Sequence, residues 1–125
     1  MSAYQTTGSI TGLYPGDSST VINNEQPASG TASRQVAVAQ SPNGGQQKLS
    51  VQVSFPSAPG AFEIDLQTSD VDNDADYVSE ATTITTVNAD FTARAEFPQI
   101  VALFARLLTK TQNANGVNCT AIITR

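Results

Sequence analysis

Asp70, Asp72, Asp74 and Asp76 form the densest set of chemically able side chains in this sequence. Alternate carboxylates in a tight loop can converge on a hard cation such as Ca²⁺. The run begins D-x-D-x-D, as an EF-hand loop does. It departs from one at Ala75, where the turn glycine is needed, and at Ala81, where the bidentate glutamate is needed. No helical pattern flanks it. Two readings remain: a looser Ca²⁺ site, or a solvated acidic loop kept exposed and mobile by repulsion between its carboxylates.

Other chemistry finds less support. Glycosidase-type catalysis needs two carboxyl groups held about 5 to 9 Å apart in a cleft. Glu63, Asp65 and Glu96 could be proposed, but each falls on the polar side of an alternating run and reads as a surface charge. Nucleophilic catalysis needs a hydroxyl or thiol beside a base, and the chain has no histidine. Its one cysteine, Cys119, lies on an apolar strand face and reads as a small packing residue. Gly44-Gly45 is not followed by the Lys-Ser or Lys-Thr pair of a phosphate loop. The sequence therefore assigns no catalytic, cofactor-binding or metal-ligating residue, and it predicts a chain that packs and binds rather than an enzyme.

Composition points the same way. Ser, Thr, Asn and Gln make up 45 of the 125 residues, Trp is absent, and Lys plus Arg number six. The net charge is −5, and the basic residues are scattered along the chain. Nucleic-acid binders gather Lys and Arg on one surface, so a nucleic-acid partner is not expected. No apolar run approaches the roughly 18 residues of a membrane-spanning helix, so no membrane partner is expected either. Met1–Gln5 shows neither a basic region nor an apolar one of the kind a signal peptide carries. A single cysteine forms no internal disulfide framework and fits a reducing compartment.

The elements that must position these residues are strands. From Gln46 onward the hydrophobic period is two. Leu49, Val51, Val53 and Phe55 alternate with polar residues, as do Phe62, Ile64 and Leu66. Thr82 to Val87 is rich in β-branched residues, and Phe91, Ala93, Ala95 and Phe97 alternate up to Pro98, which is expected to stop the strand. Val117, Cys119, Ala121 and Ile123 share the inner face of a last strand. Ile100 to Lys110 fits both a helical stripe and an apolar strand face formed by Val101, Leu103, Ala105 and Leu107. Its strand neighbours favour the second. Seven or eight short strands separated by turn residues predict an all-β fold, a jelly-roll-like β-sandwich over 46–125, with a closed barrel as the alternative.

Residues 1–45 differ in texture. They hold three charges and many turn formers, with short apolar pieces between them. This predicts an extended, turn-rich N-terminal arm carrying one or two short strands. Tyr4, Ile10, Leu13 and Tyr14 are its candidate interface residues. An extended arm can add as a strand to a neighbour's sheet edge. Alternatively, these side chains fold back on their own sandwich.

The segments Phe91–Phe97, Phe104–Thr109 and Val117–Arg125, set in an alternating β domain after a Gly/Pro/Ser-rich start, make the chain similar to small β-sandwich virion proteins of tailed bacteriophages. Head decoration (cement) proteins are the nearest kind. The resemblance covers roughly Gln46 to Arg125 and transfers no functional residue. It implies a subunit on the capsid surface, assembled in the host cytoplasm, that binds the major capsid protein and neighbouring copies of itself as a homo-oligomer. A neck, tail or fibre protein of the same fold is an alternative within virions. A carbohydrate-binding module using Ca²⁺ at Asp70–Asp76 is an alternative of another class.

Overall fold

The computed structural model describes residues 11–38, 47–86 and 91–125. Nine strands occur among them: β1 (Thr11–Leu13), β2 (Ser18–Glu25), β3 (Val36–Val38), β4 (Gln47–Ser54), β5 (Phe62–Ser69), β6 (Val78–Thr86), β7 (Thr92–Ile100), β8 (Phe104–Thr111) and β9 (Cys119–Thr124). One short 3₁₀ turn, Asp74–Asp76, lies between β5 and β6. The strands form a five-stranded sheet, ordered β1-β3-β8-β5-β6, and a four-stranded sheet, ordered β2-β9-β4-β7. The two pack face to face as the expected all-β sandwich.

Alternation explains the core. Leu49, Val51 and Val53 of β4 are fully buried, while Lys48 before them and Gln52 between them are exposed. Cys119, Ala121 and Ile123 of β9 point inward beside them. The opposite sheet supplies Phe62, Ile64, Leu66, Ala105 and Leu107. Each large side chain taken out of water in this way contributes about 1.5–3 kcal/mol. The Ile100–Lys110 ambiguity resolves as strand from Phe104 onward. Ala105 and Leu107 face the core as expected, whereas Val101 and Leu103 lie in the preceding connection and are exposed.

Pro98 does not end its strand, and β7 continues to Ile100. The order places β7 at a sheet edge, where a missing N–H need not interrupt a ladder. A register shift between Gln47 and Leu49 of the paired β4 absorbs the local distortion.

Residues 11–38 of the N-terminal stretch lie within the sandwich. β1 runs parallel to β3 in one sheet, and β2 pairs antiparallel with β9 in the other. Leu13, Val21, Ile22, Val36 and Val38 join the core. The short apolar pieces between turn formers are the buried faces of these strands. Residues 1–10 and 39–45 of the expected arm lie outside the described residues.

Candidate interaction surface

The acidic run folds back over the outer face of the five-stranded sheet. Its organiser is Arg106 of β8, whose neighbour Leu107 points into the core. Arg106 is only 5% exposed. Its Nε donates to Gln67 Oε1 at 2.9 Å on the adjacent β5. Its Nη1 donates to the Asp74 carboxylate, and its Nη2 donates to the Asp74 carbonyl at 3.3 Å. The guanidinium carbon stands 4.1 Å from the centre of the Tyr77 ring, a cation–π contact. The Tyr77 hydroxyl donates to Asp72 Oδ1 at 3.1 Å, and the Gln35 amide donates to the same carboxylate at 3.3 Å.

The loop is thus pinned rather than mobile, because a guanidinium of the chain's own sheet supplies the positive charge. Asp70 and Asp76 remain exposed. Among the described residues no group of three His, Cys, Asp or Glu is placed to hold a metal ion.

Each of the three carboxylates considered for catalysis has a partner of its own. Glu63 accepts from Thr111 Oγ1 at 2.8 Å, and Asp65 accepts from Thr83 Oγ1 at 2.6 Å. Glu96 is in the other sheet and pairs with Lys48 at 3.4 Å. Asp65 differs from its expected surface role, being 5% exposed between β6 and β8. Cys119 is buried, and burial, with a smaller contribution from Glu25, pushes its thiol up to about 12. The thiolate that a nucleophile needs is therefore suppressed. A cleft of about 220 Å³ beside β2 is lined by Val21, Ile22, Ala32, Pro27 and Glu25 among others.

Of the four candidate interface residues, Tyr4 and Ile10 lie outside the described residues. Leu13 is fully buried in the core, while the adjacent Tyr14 is 63% exposed. The β period of two separates them. A tight turn presents Tyr14: its N–H donates to Asp17 Oδ2 at 3.0 Å, and Asp17 N–H donates to the Tyr14 carbonyl at 2.9 Å. Arg125, just after β9, locks this turn. The Gly16 N–H donates to the Arg125 carbonyl at 3.0 Å, the Arg125 N–H donates to the Asp17 carbonyl at 2.9 Å, and Arg125 Nη1 donates to the Leu13 carbonyl at 2.7 Å. Gly16 takes φ +91° there, a left-handed conformation that glycine adopts without steric cost.

Tyr14 does not stand alone. The upper end of the sandwich is where β4, β6 and β8 begin and β3, β5, β7 and β9 finish. Among the described residues six large hydrophobic side chains are exposed: Tyr14, Val71, Val78, Phe91, Val101 and Leu103. All except Phe91 lie at this end. Tyr14 follows β1. Val101 and Leu103 precede β8, and the Leu103 carbonyl accepts from Val38 N–H at the end of β3. Ser69 at the end of β5 is opposite Phe104, so Val71 follows β5 at the same end from which Leu103 leads into β8. Val78 opens β6 opposite Thr68. The side chains therefore form a row along the upper rim of the five-stranded sheet. Four strand spacings of about 4.8 Å give it a length of roughly 19 Å. Nothing in the alternation singles out Val71 and Val78, whose exposure follows from the pinned loop.

Two solved structures are similar to this chain. The pre-peptidase C-terminal domain of collagenase from Bacillus anthracis is 12% identical with a TM-score of 0.50, over 96% of this chain and 99% of that one. The SPBc2 prophage-derived protein YomS is 16% identical with a TM-score of 0.46, over 89% of this chain and 96% of that one. At 12% identity the likeness to the collagenase domain concerns the fold alone. No family model matches the sequence, and no curated protein matches it.

Proposed function

We propose that this chain is a structural subunit of a phage virion, a head decoration (cement) protein that binds the assembled capsid through the upper rim of its five-stranded sheet. The observation that supports it is the row Tyr14, Val101, Leu103, Val71 and Val78, exposed together at one end of a rigid sandwich. Grouped apolar side chains rimmed by polar residues mark protein-binding surfaces, whereas scattered ones do not. A stable contact buries on the order of 600 Å² per partner, about a tenth of the 6337 Å² that the chain exposes. The texture shared with tailed-phage virion proteins supplies the partner: the major capsid protein, with neighbouring copies of the chain beside it. The mechanism is mass action. A subunit that binds the assembled lattice and not its separated parts stabilises the lattice at every occupied site. In this reading the protein performs no catalysis and uses no cofactor, nucleic acid or membrane.

The test is occupancy of purified heads. Val101→Asp with Leu103→Asp changes two exposed side chains, so the sandwich should fold normally. Loss of two central apolar contacts should weaken binding by tenfold or more, about 1.4 kcal/mol or above. Unchanged occupancy would remove the rim from the mechanism. Copy number per particle checks the location: hundreds of copies fit decoration, whereas a dozen or fewer would replace it with a neck or tail role.

A further inference from the structure

Among the described residues the sandwich has four edge strands, and three are defended. β1 is three residues long. β2 breaks register with β9 twice and carries Asn24 at φ +52°. β7 carries Arg94, Glu96 and Pro98. Short length, bulges, charge and proline are the devices that stop one sheet from pairing with another. β6 lacks them in its second half. Ala81–Thr86 contains no charge and no proline, and from Thr83 to Thr86 its pairing with β5 is unbroken. The outer side of this straight segment is a sheet edge.

The segment is also symmetric. Thr82-Thr83-Ile84-Thr85-Thr86 reads the same in both directions. We propose that β6 is a self-association edge, on which a second copy of this chain pairs antiparallel about a two-fold axis at Ile84. That axis sets Thr83 against the partner's Thr85 and Thr82 against the partner's Thr86, and joins two five-stranded sheets into one. A two-fold contact uses the same patch on both subunits, so the patch must be complementary to itself. This segment meets that condition at every position, including Ile84 opposite itself. Thr–Thr pairs across antiparallel strands are favourable, and the edge supplies the unpaired N–H and C=O groups.

Electrostatics permit the contact. Glu80 of β6 lies outside the paired segment and accepts from Thr68 Oγ1, and the charges on the adjacent β5 are Glu63 and Asp65, one strand inward. Across the joint they stand three strand spacings from their counterparts, about 14 Å, beyond the roughly 8 Å screening length at physiological salt. The pairing is centred on Ile84, toward the end of β6 away from Val78 of the rim. It deepens the homo-oligomer part of the proposed function, and it is tested on the free protein, so failure of the capsid reading leaves it standing.

The test is sedimentation of the full chain at up to about 100 μM, a range in which a contact of modest area is populated. Wild type should show a concentration-dependent shift from 13.1 kDa toward twice that mass. Thr85→Lys should remain monomeric while melting like the wild-type monomer. Thr82→Lys serves in its place if that variant misfolds. Thr92→Lys, on the defended edge β7, should dimerise as wild type does. A wild type that stays monomeric overturns the proposal, as would an edge reserved for a segment of another protein. Dimerisation of Thr85→Lys or Thr82→Lys equal to wild type overturns it too, and so does equal loss in Thr92→Lys.

Discussion

Replacing Arg106 with alanine should destabilise the domain by about 3 kcal/mol. The figure comes from its contacts. A charge-assisted hydrogen bond to a buried partner contributes about 1.5–3 kcal/mol, and Gln67 is 8% exposed. The cation–π contact with buried Tyr77 adds up to about 2 kcal/mol. The ion pair adds less than about 1 kcal/mol, because the Asp74 side chain is 65% exposed and screened by water. Against these stands the cost of burying the guanidinium itself, which alanine removes. For a domain of this size the loss should lower the melting temperature by about 10 °C. Two further variants separate the contributions. Asp74→Asn should cost under about 1 kcal/mol. Arg106→Met keeps the stem over Tyr77 and should fall between the two. Urea unfolding measures all three, and hydrogen exchange at 70–77 should rise in the alanine variant alone. An alanine variant within about 1 kcal/mol of wild type, or an Asp74→Asn variant as unstable as the alanine variant, would refute a buried guanidinium as the organiser of the loop.

Two other positions carry predictions that need only a melting curve. Thr109 Oγ1 is buried with no hydrogen-bond partner among the described residues; Thr109→Val removes that orphaned hydroxyl at nearly constant shape and should stabilise by about 1 kcal/mol, and a lower melting temperature would contradict it. Cys119 holds its proton in the folded state up to about 12 against an ordinary 9.0, so the unfolded chain binds fewer protons between these values and stability falls as pH rises through that window. Cys119→Val should flatten this alkaline slope, and a slope identical to wild type would show that the thiol does not titrate on unfolding.

What the sequence shows and what it conceals have the same origin. Strands whose outer face meets water announce themselves by alternation, so β4 and β9 are visible at once. β5 conceals its environment. Its inner face is plain from Phe62, Ile64 and Leu66, but Asp65 and Gln67 look like surface residues and are buried. Their cover comes from β6, β8 and the acidic loop, none of which is local to them. The acidic loop hides its state for the same reason, since its counter-charge, Arg106, lies 32 residues from Asp74. Leu13 and Tyr14 show a finer failure. Treated as one apolar pair they suggest docking, yet in a strand neighbours face opposite ways, and only one of them reaches solvent. The upper rim was therefore half legible, through Tyr14. Val101 and Leu103 read as part of one apolar strand face because the alternation of β8 continues in sequence through the connection before it.

The polar networks and the apolar rim belong to one design. Both ends of the row are held by arginines. Arg125 ties the Tyr14 turn to the Leu13 carbonyl and to Gln47 at the start of β4. Arg106 ties the loop that carries Val71 and leads into Val78. Ordering a side chain on binding costs about 0.5–1.5 kcal/mol, and ordering a loop costs more, so a surface fixed before the encounter retains more of its contact energy. It follows that Arg106, which never reaches the rim, acts on it. The alanine variant should lose affinity for a rim partner beyond what its reduced folded fraction explains, because Val71 and Val78 must then be ordered by the partner. Asp74→Asn should not.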